Sequence, residues 1–286
     1  MTINELYSEF INNLKLAHET GEATAITNII FEHFVGISTA GLIVNAKSEL
    51  QNEVLKSMQD ALAALKKNVP VQYIIGKAWF YNLSFSVTDA VLIPRPETEL
   101  IIDEVLADHK KKSTTGIVRV LDLGSGTGCI GLSILKNIPN SELVTIERSQ
   151  TAFEVLTENI KSLELNDRVK AIHSDVLKVD VTPFSQFDYV VSNPPYIDQK
   201  DKETEQFVKK FEPHEALFSP DQGLSDIKSW AARYSHLVKP NSLMLFEIGY
   251  QQGSAVKVYF DSLQKFKSVD VIKDLSGLDR IIKARA

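Results

Sequence analysis

The sequence predicts an α/β chain: a doubly wound, mostly parallel seven-stranded sheet, preceded by a small helical bundle and a β-hairpin linker. Three observations carry that expectation. From residue 117 onward, strand-like apolar runs alternate with helical runs. Before residue 70 the apolar side chains recur at helical spacing. Between the two, residues 71–93 hold an aromatic, strand-like stretch broken at Asn82.

Within residues 1–70, Leu6, Phe10, Leu14 and Ala17 follow one helical face, and Val54, Met58, Leu62 and Leu65 another. Gly21, Gly36 and Gly41 punctuate the segment and Pro70 closes it. Five lysines against eight acids give it a net −3. Trp79, Phe80 and Tyr81, then Leu83, Phe85 and Val87, predict the linker hairpin over 71–93. Pro94-Arg95-Pro96-Glu97-Thr98-Glu99 leads into a helix over 100–109. Pro96 suits its first turn, and acids there complement the helix dipole. Residues 110–116, with Lys110, Lys111 and Lys112, read as a solvated basic loop. Strands are expected at 117–123, 142–147, 169–173, 187–192 and 242–248, and helices at 127–137, 149–163, 223–238 and 251–265. Strands at 267–273 and 280–283 would close the sheet as a hairpin.

Composition narrows the function. With 44% hydrophobic and 24% charged residues, the chain is neither disordered nor fibrous. Thirty-one basic residues against 37 acids leave a net −6, the wrong sign for a protein that lives by gripping phosphates. A single cysteine, Cys129, excludes an internal disulfide and a multi-cysteine metal site, and reads as a small packed residue. The six histidines (18, 33, 109, 173, 214, 236) show no metal-ligand spacing. No basic, then apolar, leader is visible. The longest suspicious uncharged stretch, residues 33–46, is 14 residues long, against roughly 20 for a membrane span. A cytosolic protein is expected.

Two strings carry chemistry. The first strand ends in DLGSGTG (122–128), with Gly124, Gly126 and Gly128 at alternate positions around Ser125 and Thr127. Glycines let the backbone turn tightly and approach a ligand, with a helix N-terminus just behind. The spacing is neither the dinucleotide fingerprint nor a phosphate-binding P-loop, and alone it also suits an ordinary tight turn. Glu147 ends the next strand, 23 residues beyond Gly124, where an acid can accept from both ribose hydroxyls of a nucleoside. Asp175 and Val176 follow the third strand, where a carboxylate and a backbone N–H suit an adenine ring.

The fourth strand runs into Asn193-Pro194-Pro195-Tyr196. Consecutive prolines fix the backbone and leave carbonyls free as acceptors. Asn193 adds a side-chain oxygen and Tyr196 a flat face. A rigid loop with two acceptors and an aromatic wall suits a planar NH2 group. Such a nitrogen is a poor nucleophile because its lone pair is delocalised. Two acceptors on its N–H groups can hold that lone pair toward an electrophilic methyl, without a strong base.

DLGSGTG, Glu147 and NPPY together resemble the class I S-adenosylmethionine-dependent methyltransferases that modify planar amino groups. VLIPRPETE (91–99), FEPHEAL (211–217), GLSD (223–226), FEIGYQQG (246–253) and DLSGLDR (274–280) narrow the resemblance to the peptide-chain release-factor glutamine methyltransferase family, from about residue 71 to 286. The resemblance implies a Rossmann-like methyltransferase domain at 94–286 and an N-terminal helical domain at 1–70 for partner recognition. It implies transfer of a methyl from S-adenosyl-L-methionine to N5 of the glutamine in the Gly-Gly-Gln motif of class I release factors, leaving S-adenosyl-L-homocysteine. Gly124, Ser125, Gly126, Thr127, Gly128 and Glu147 would hold the cofactor, Asp175 and Val176 would flank its adenine, and Asn193 would adjoin it. In the tetrad Asn193, Pro194, Pro195 and Tyr196, the Asn193 side chain and the Pro195 carbonyl would grip the glutamine amide, with Tyr196 packed on it. Glu147 stands where many relatives carry Asp, and Val176 where some carry an aromatic residue.

Glu97 and Glu99 are expected to shape the mouth of the site. Glu247 and Arg280 match family positions without an assignable mechanism. A ribosomal-protein glutamine or a nucleic-acid amino methyltransferase would use the same tetrad. The acidic first 70 residues, the lack of a separate target-recognition domain after Asn193, and PRPETE favour release factors. A catalytically silent binding module is disfavoured by the intact loop and tetrad. A cytoplasmic monomer without direct nucleic-acid or membrane contact is expected.

Overall fold

The computed structural model describes residues 1–112, 116–201 and 210–286 and divides into two compact units, Met1–Lys77 and Ala78–Ala286. The first is helical: α1 (Ile3–Leu14), α2 (Thr20–Val35), α3 (Thr39–Val44), α4 (Asn52–Leu65) and α5 (Val71–Ile75). Thr2 and Glu5 cap α1 reciprocally, each side chain meeting the other's backbone N–H. Leu6, Phe10 and Leu14 bury against Ile30, Phe31, Met58 and Leu62. Ala17, expected on that face, lies beyond α1 and is exposed. Helix α5 occupies the start of the stretch expected as hairpin linker. Val71-Gln72-Tyr73-Ile74-Ile75 is strand-like in composition. Pro70 opens it as a helix, however, and Gly76, at φ 67°, closes it.

The hairpin itself is β1 (Lys77–Phe80) and β2 (Leu83–Ser86). Tyr81 and Asn82 both take positive φ, as a twisted two-residue hairpin turn requires. After it come α6 (Glu99–Lys112), β3 (Val118–Leu123), α7 (Cys129–Asn137), β4 (Ser141–Glu147), α8 (Gln150–Ser162), β5 (Val169–His173), β6 (Phe187–Ser192), β7 (Ile197–Asp198), β8 (Phe218–Ser219), α9 (Ser225–Tyr234), β9 (Val238–Glu247), α10 (Gly253–Ser262), β10 (Ser268–Lys273) and β11 (Asp279–Arg285). Helix α6 therefore carries Lys110, Lys111 and Lys112, which the sequence places in a loop. Cations at a helix C-terminus complement its dipole. The rest of that expected loop, at 113–115, lies outside the described residues.

The main sheet has seven strands in the order β10-β11-β9-β6-β3-β4-β5. β5, β4, β3, β6 and β9 are parallel, and β11 pairs antiparallel with both β9 and β10. Successive strand residues bury on opposite faces. Val120, Tyr189, Val191 and Leu245 pack with α6, α7 and α8. Leu121, Val190, Met244 and Phe246 pack with α9 and α10. This is the two-layered wrapping that continuous apolar strands demand. Leu123 sits level with Ile146 and with Ser192, which sits level with Phe246. The loops after β3, β4, β6 and β9 therefore leave the sheet at one edge. β3 has β4 on one side and β6 on the other, which is the switch point where open α/β sheets bind ligands. Among the described residues, no helix is long and apolar enough to cross a membrane.

Candidate active site

At that edge lies one cavity lined by the glycine loop, Glu147, the 175–177 turn, the tetrad loop and the Pro94–Thr98 segment. Gly124, Gly126 and Gly128 all take positive φ. An added Cβ would stand 2.7 Å from the Trp230 ring at Gly124 and 2.5 Å from Leu156 Cδ1 at Gly128. The Gly124 and Ser125 N–H groups both donate to the Ile146 carbonyl, at 2.9 and 3.2 Å, and bind the loop to β4.

Glu147 is 8% exposed. Its carboxylate accepts from the Gly126 N–H and the Ser149 N–H, each at 2.8 Å. It is thus both a cavity acid and a brace for the glycine turn. The Ser125 hydroxyl oxygen is buried without a hydrogen-bond partner in the same loop. A loop with an orphaned hydroxyl, open glycine backbone and two nearby carboxylates, Glu147 and Asp175, has the donor set for a polar, cationic nucleoside-type ligand.

Asp122 sits beneath the loop, 1% exposed. Its Oδ2 accepts from the Gly131 N–H at 3.0 Å, while Oδ1 has no partner. Burial, with Glu147 adding to it, pushes its pKa from 3.8 up to about 7. The folded state therefore binds this proton more tightly than the unfolded chain. The stability so conferred is complete below about pH 3.8 and is lost as pH rises toward about 7. Asp122→Asn should flatten that slope and gain on the order of 2–4 kcal/mol over the wild type at pH 8, relative to pH 4. Urea unfolding at the two pH values checks it, and equal slopes in both proteins would refute it.

Of the residues singled out from the sequence, Gly124, Ser125, Gly126, Thr127, Glu147, Asp175, Val176, Asn193 and Pro195 line the cavity. Gly128 instead caps α7, and Pro194 is buried. Tyr196 turns its hydroxyl to Glu247 at 3.0 Å, and burial keeps that phenol protonated well above its usual range. Glu97 is exposed, and Glu99 accepts from the Tyr81 N–H at 2.7 Å. Neither lines the cavity. The residue between them, Thr98, does.

Trp230 and Arg95 are further wall residues that sequence reasoning missed. An aromatic on the apolar stripe of α9 reads as core, which hides Trp230. Arg95 pairs with the buried Glu212 at 2.5 Å, joining PRPETE to FEPHEAL. Cys129 adjoins the cavity, but burial pushes its thiol up to about 12, so it is a packed thiol and no nucleophile. Among the described residues, no cluster of His, Cys, Asp and Glu is placed to hold a metal ion.

Residues 100–216 match the Methyltransferase small domain family, which makes the seven-stranded sheet with its glycine-lined cavity a methyltransferase domain. Residues 5–76 match the PrmC N-terminal domain family. The chain belongs to the release factor glutamine methyltransferases. It is 32% identical to the release factor glutamine methyltransferase of Bacillus cereus, over 93% of this chain and 94% of that one. It is 31% identical to that of Flavobacterium psychrophilum, over 99% of both chains, and 34% identical to that of Clostridium botulinum, over 85% of both. Among solved structures, the hMettl16 catalytic domain in complex with the MAT2A 3′UTR hairpin 6 superposes with a TM-score of 0.56 at 13% identity, over 88% of each chain. That likeness concerns the fold alone.

Proposed function

We propose that this enzyme transfers a methyl group from S-adenosyl-L-methionine to the side-chain amide nitrogen, N5, of the Gly-Gly-Gln glutamine in class I peptide-chain release factors. S-adenosyl-L-homocysteine is the other product. The observation that carries the reading is the meeting, in one cavity, of the Glu147-braced glycine loop with Asn193 and Pro195.

When bound, the cofactor supplies an electrophilic methyl on a sulfonium. Glu147 would accept from the ribose hydroxyls with the lone pairs that Gly126 and Ser149 leave free, since a carboxylate has about four acceptor sites. Asp175 and Val176 would flank the adenine, and the Ser125 hydroxyl would gain a polar partner. The Asn193 side-chain oxygen and the Pro195 carbonyl accept the two N–H groups of the glutamine amide. That grip would turn the nitrogen lone pair toward the methyl, whose bond to sulfur would break, its electron pair staying on sulfur, as the nitrogen–carbon bond formed, and the nitrogen would release a proton to solvent. Positioning is the source of the rate, worth up to roughly 7–11 kcal/mol in favourable systems.

The helical unit at 1–70 serves recognition of the factor, and the enzyme works as a cytoplasmic monomer without direct nucleic-acid contact. Incubation with labelled S-adenosyl-L-methionine and a purified class I release factor, followed by mass-spectrometric mapping, tests the reading. A methyl anywhere but that glutamine, or none, would overturn it. Glu147→Ala should weaken cofactor binding by about 1.5–3 kcal/mol, the scale of a hydrogen bond to a charged group. Unchanged affinity by calorimetry would remove Glu147 from the ribose.

A further inference from the structure

Three segments far apart in the chain meet behind the tetrad. Thr98, 1% exposed, lies in the turn that opens α6, and Glu247, 2% exposed, ends β9. The Thr98 Oγ1 lies 2.5 Å from Glu247 Oε2 and the Tyr196 hydroxyl lies 3.0 Å from Oε1. The Asn193 Nδ2 lies 3.3 Å from Thr98 Oγ1.

With Glu247 ionised, proton counting fixes the direction of this chain of hydrogen bonds. An ionised carboxylate only accepts, so each hydroxyl must donate its one proton to Glu247. Thr98 then has only lone pairs left for Asn193. The Asn193 amide must therefore present its NH2 to Thr98, which leaves Oδ1 as the end available to the cavity that Asn193 lines. The opposite amide orientation would set two oxygens against each other with no proton between them. Burial pushes the Glu247 carboxyl above its usual range, while the hydrogen bonds from Thr98 and Tyr196 and the charge of Arg280 favour its ionised form.

We infer that Thr98 and Glu247 are positioning residues for the transfer step. Glu247 polarises the Thr98 hydroxyl, which holds the Asn193 amide oxygen toward the substrate, and the same carboxylate pins Tyr196. This role rests on the glutamine methylation proposed above. It also unites PRPETE and FEIGYQQG, since each contributes one member of a hydrogen-bonded relay whose end is the amide that grips the glutamine.

Thr98→Val keeps the shape and removes the hydroxyl, while Thr98→Ser restores the hydroxyl without the methyl. Both are compared with the wild type for turnover of a release factor at saturation, KM for the factor, cofactor affinity and melting temperature. Thr98→Val should lose at least tenfold in turnover, because a misplaced positioning group is costly far beyond its binding energy. KM and cofactor affinity should stay within threefold, and Thr98→Ser should recover turnover to within threefold. Turnover of Thr98→Val within threefold of wild type would overturn the relay. So would an equal loss in Thr98→Ser, or a parallel loss of cofactor affinity, either of which marks a packing role alone. Failure of the wild type itself to methylate the glutamine would instead overturn the reaction on which the relay depends.

Discussion

Asn193→Ala should lower single-turnover methylation of the release factor by about a hundredfold at saturating cofactor, with the fold and cofactor affinity largely intact. Asn193 stands at the end of β6, and its side chain is one of two acceptors assigned to the glutamine NH2. Without it the amide rotates about its remaining contact and the lone pair loses its aim. Deleting one preorganised hydrogen-bonding group of this kind costs on the order of 3 kcal/mol in the barrier, hence the hundredfold. The loss should fall on turnover, because the contact directs an orbital more than it adds affinity. Asn193→Asp should be nearly as poor. It keeps oxygens but puts a negative charge beside the sulfonium, stabilising the ground state. It also removes the NH2 that meets Thr98. Turnover of Asn193→Ala within about threefold of wild type would show that the tetrad does not act this way.

Gly223→Ala should be as damaging, through sterics. Gly223 has φ 80°, and an added Cβ would lie 1.9 Å from the Tyr196 carbonyl oxygen and 2.7 Å from the Gln252 Nε2. That Gln252 amide donates to the Tyr196 carbonyl at 2.8 Å and to the Gln222 carbonyl at 3.0 Å, clamping the tetrad loop to the 220–223 turn. A methyl group at 223 must push the two backbones apart and break the clamp. A left-handed conformation costs an L-residue roughly 1–2 kcal/mol, and the displacement adds to it. Stability should fall by about 2–4 kcal/mol in urea, and turnover by at least a hundredfold under conditions where the variant stays folded, since a shift near 1 Å at reacting groups suffices. Wild-type turnover in a folded Gly223→Ala protein would mean that the tetrad loop tolerates movement and that the clamp has no part in the transfer step.

The two chemical strings were legible in the sequence because each is local. Glycine spacing, an acid at the next strand end and a Pro-Pro turn after an apolar strand are all contained in short windows, and parallel register then brings the strand ends level. What stayed hidden is pairwise and remote. Thr98 and Glu247 are 149 residues apart in the chain, and no propensity or period links a threonine between two acids to a buried carboxylate. The expectation for Glu97 and Glu99 fell on the right turn and the wrong side chains, because charge is visible in a sequence and burial of a hydroxyl is not. Helix α5 was hidden for another reason. β-branched and aromatic residues favour strands only where a pleated surface awaits them, and Pro70 and Gly76 set the local geometry first.

The placing of β11 has a consequence for how such a site comes into being. It is the last of the seven strands to be synthesised, yet it stands inside the sheet between β10 and β9, with Ile281 opposite Glu247 and the Ile248 N–H donating to the Arg280 carbonyl at 2.8 Å. Until it inserts, β9 is an open edge and the Glu247 carboxylate lacks one flank. A nascent chain can therefore pair β3, β4 and β5, which carry the glycine loop and Glu147, before β11 flanks β9 and Glu247. Insertion of a late strand between two earlier ones is a non-local, slow event. During cotranslational folding, cofactor binding should therefore appear before methyl-transfer competence, with the interval set by residues 279–285.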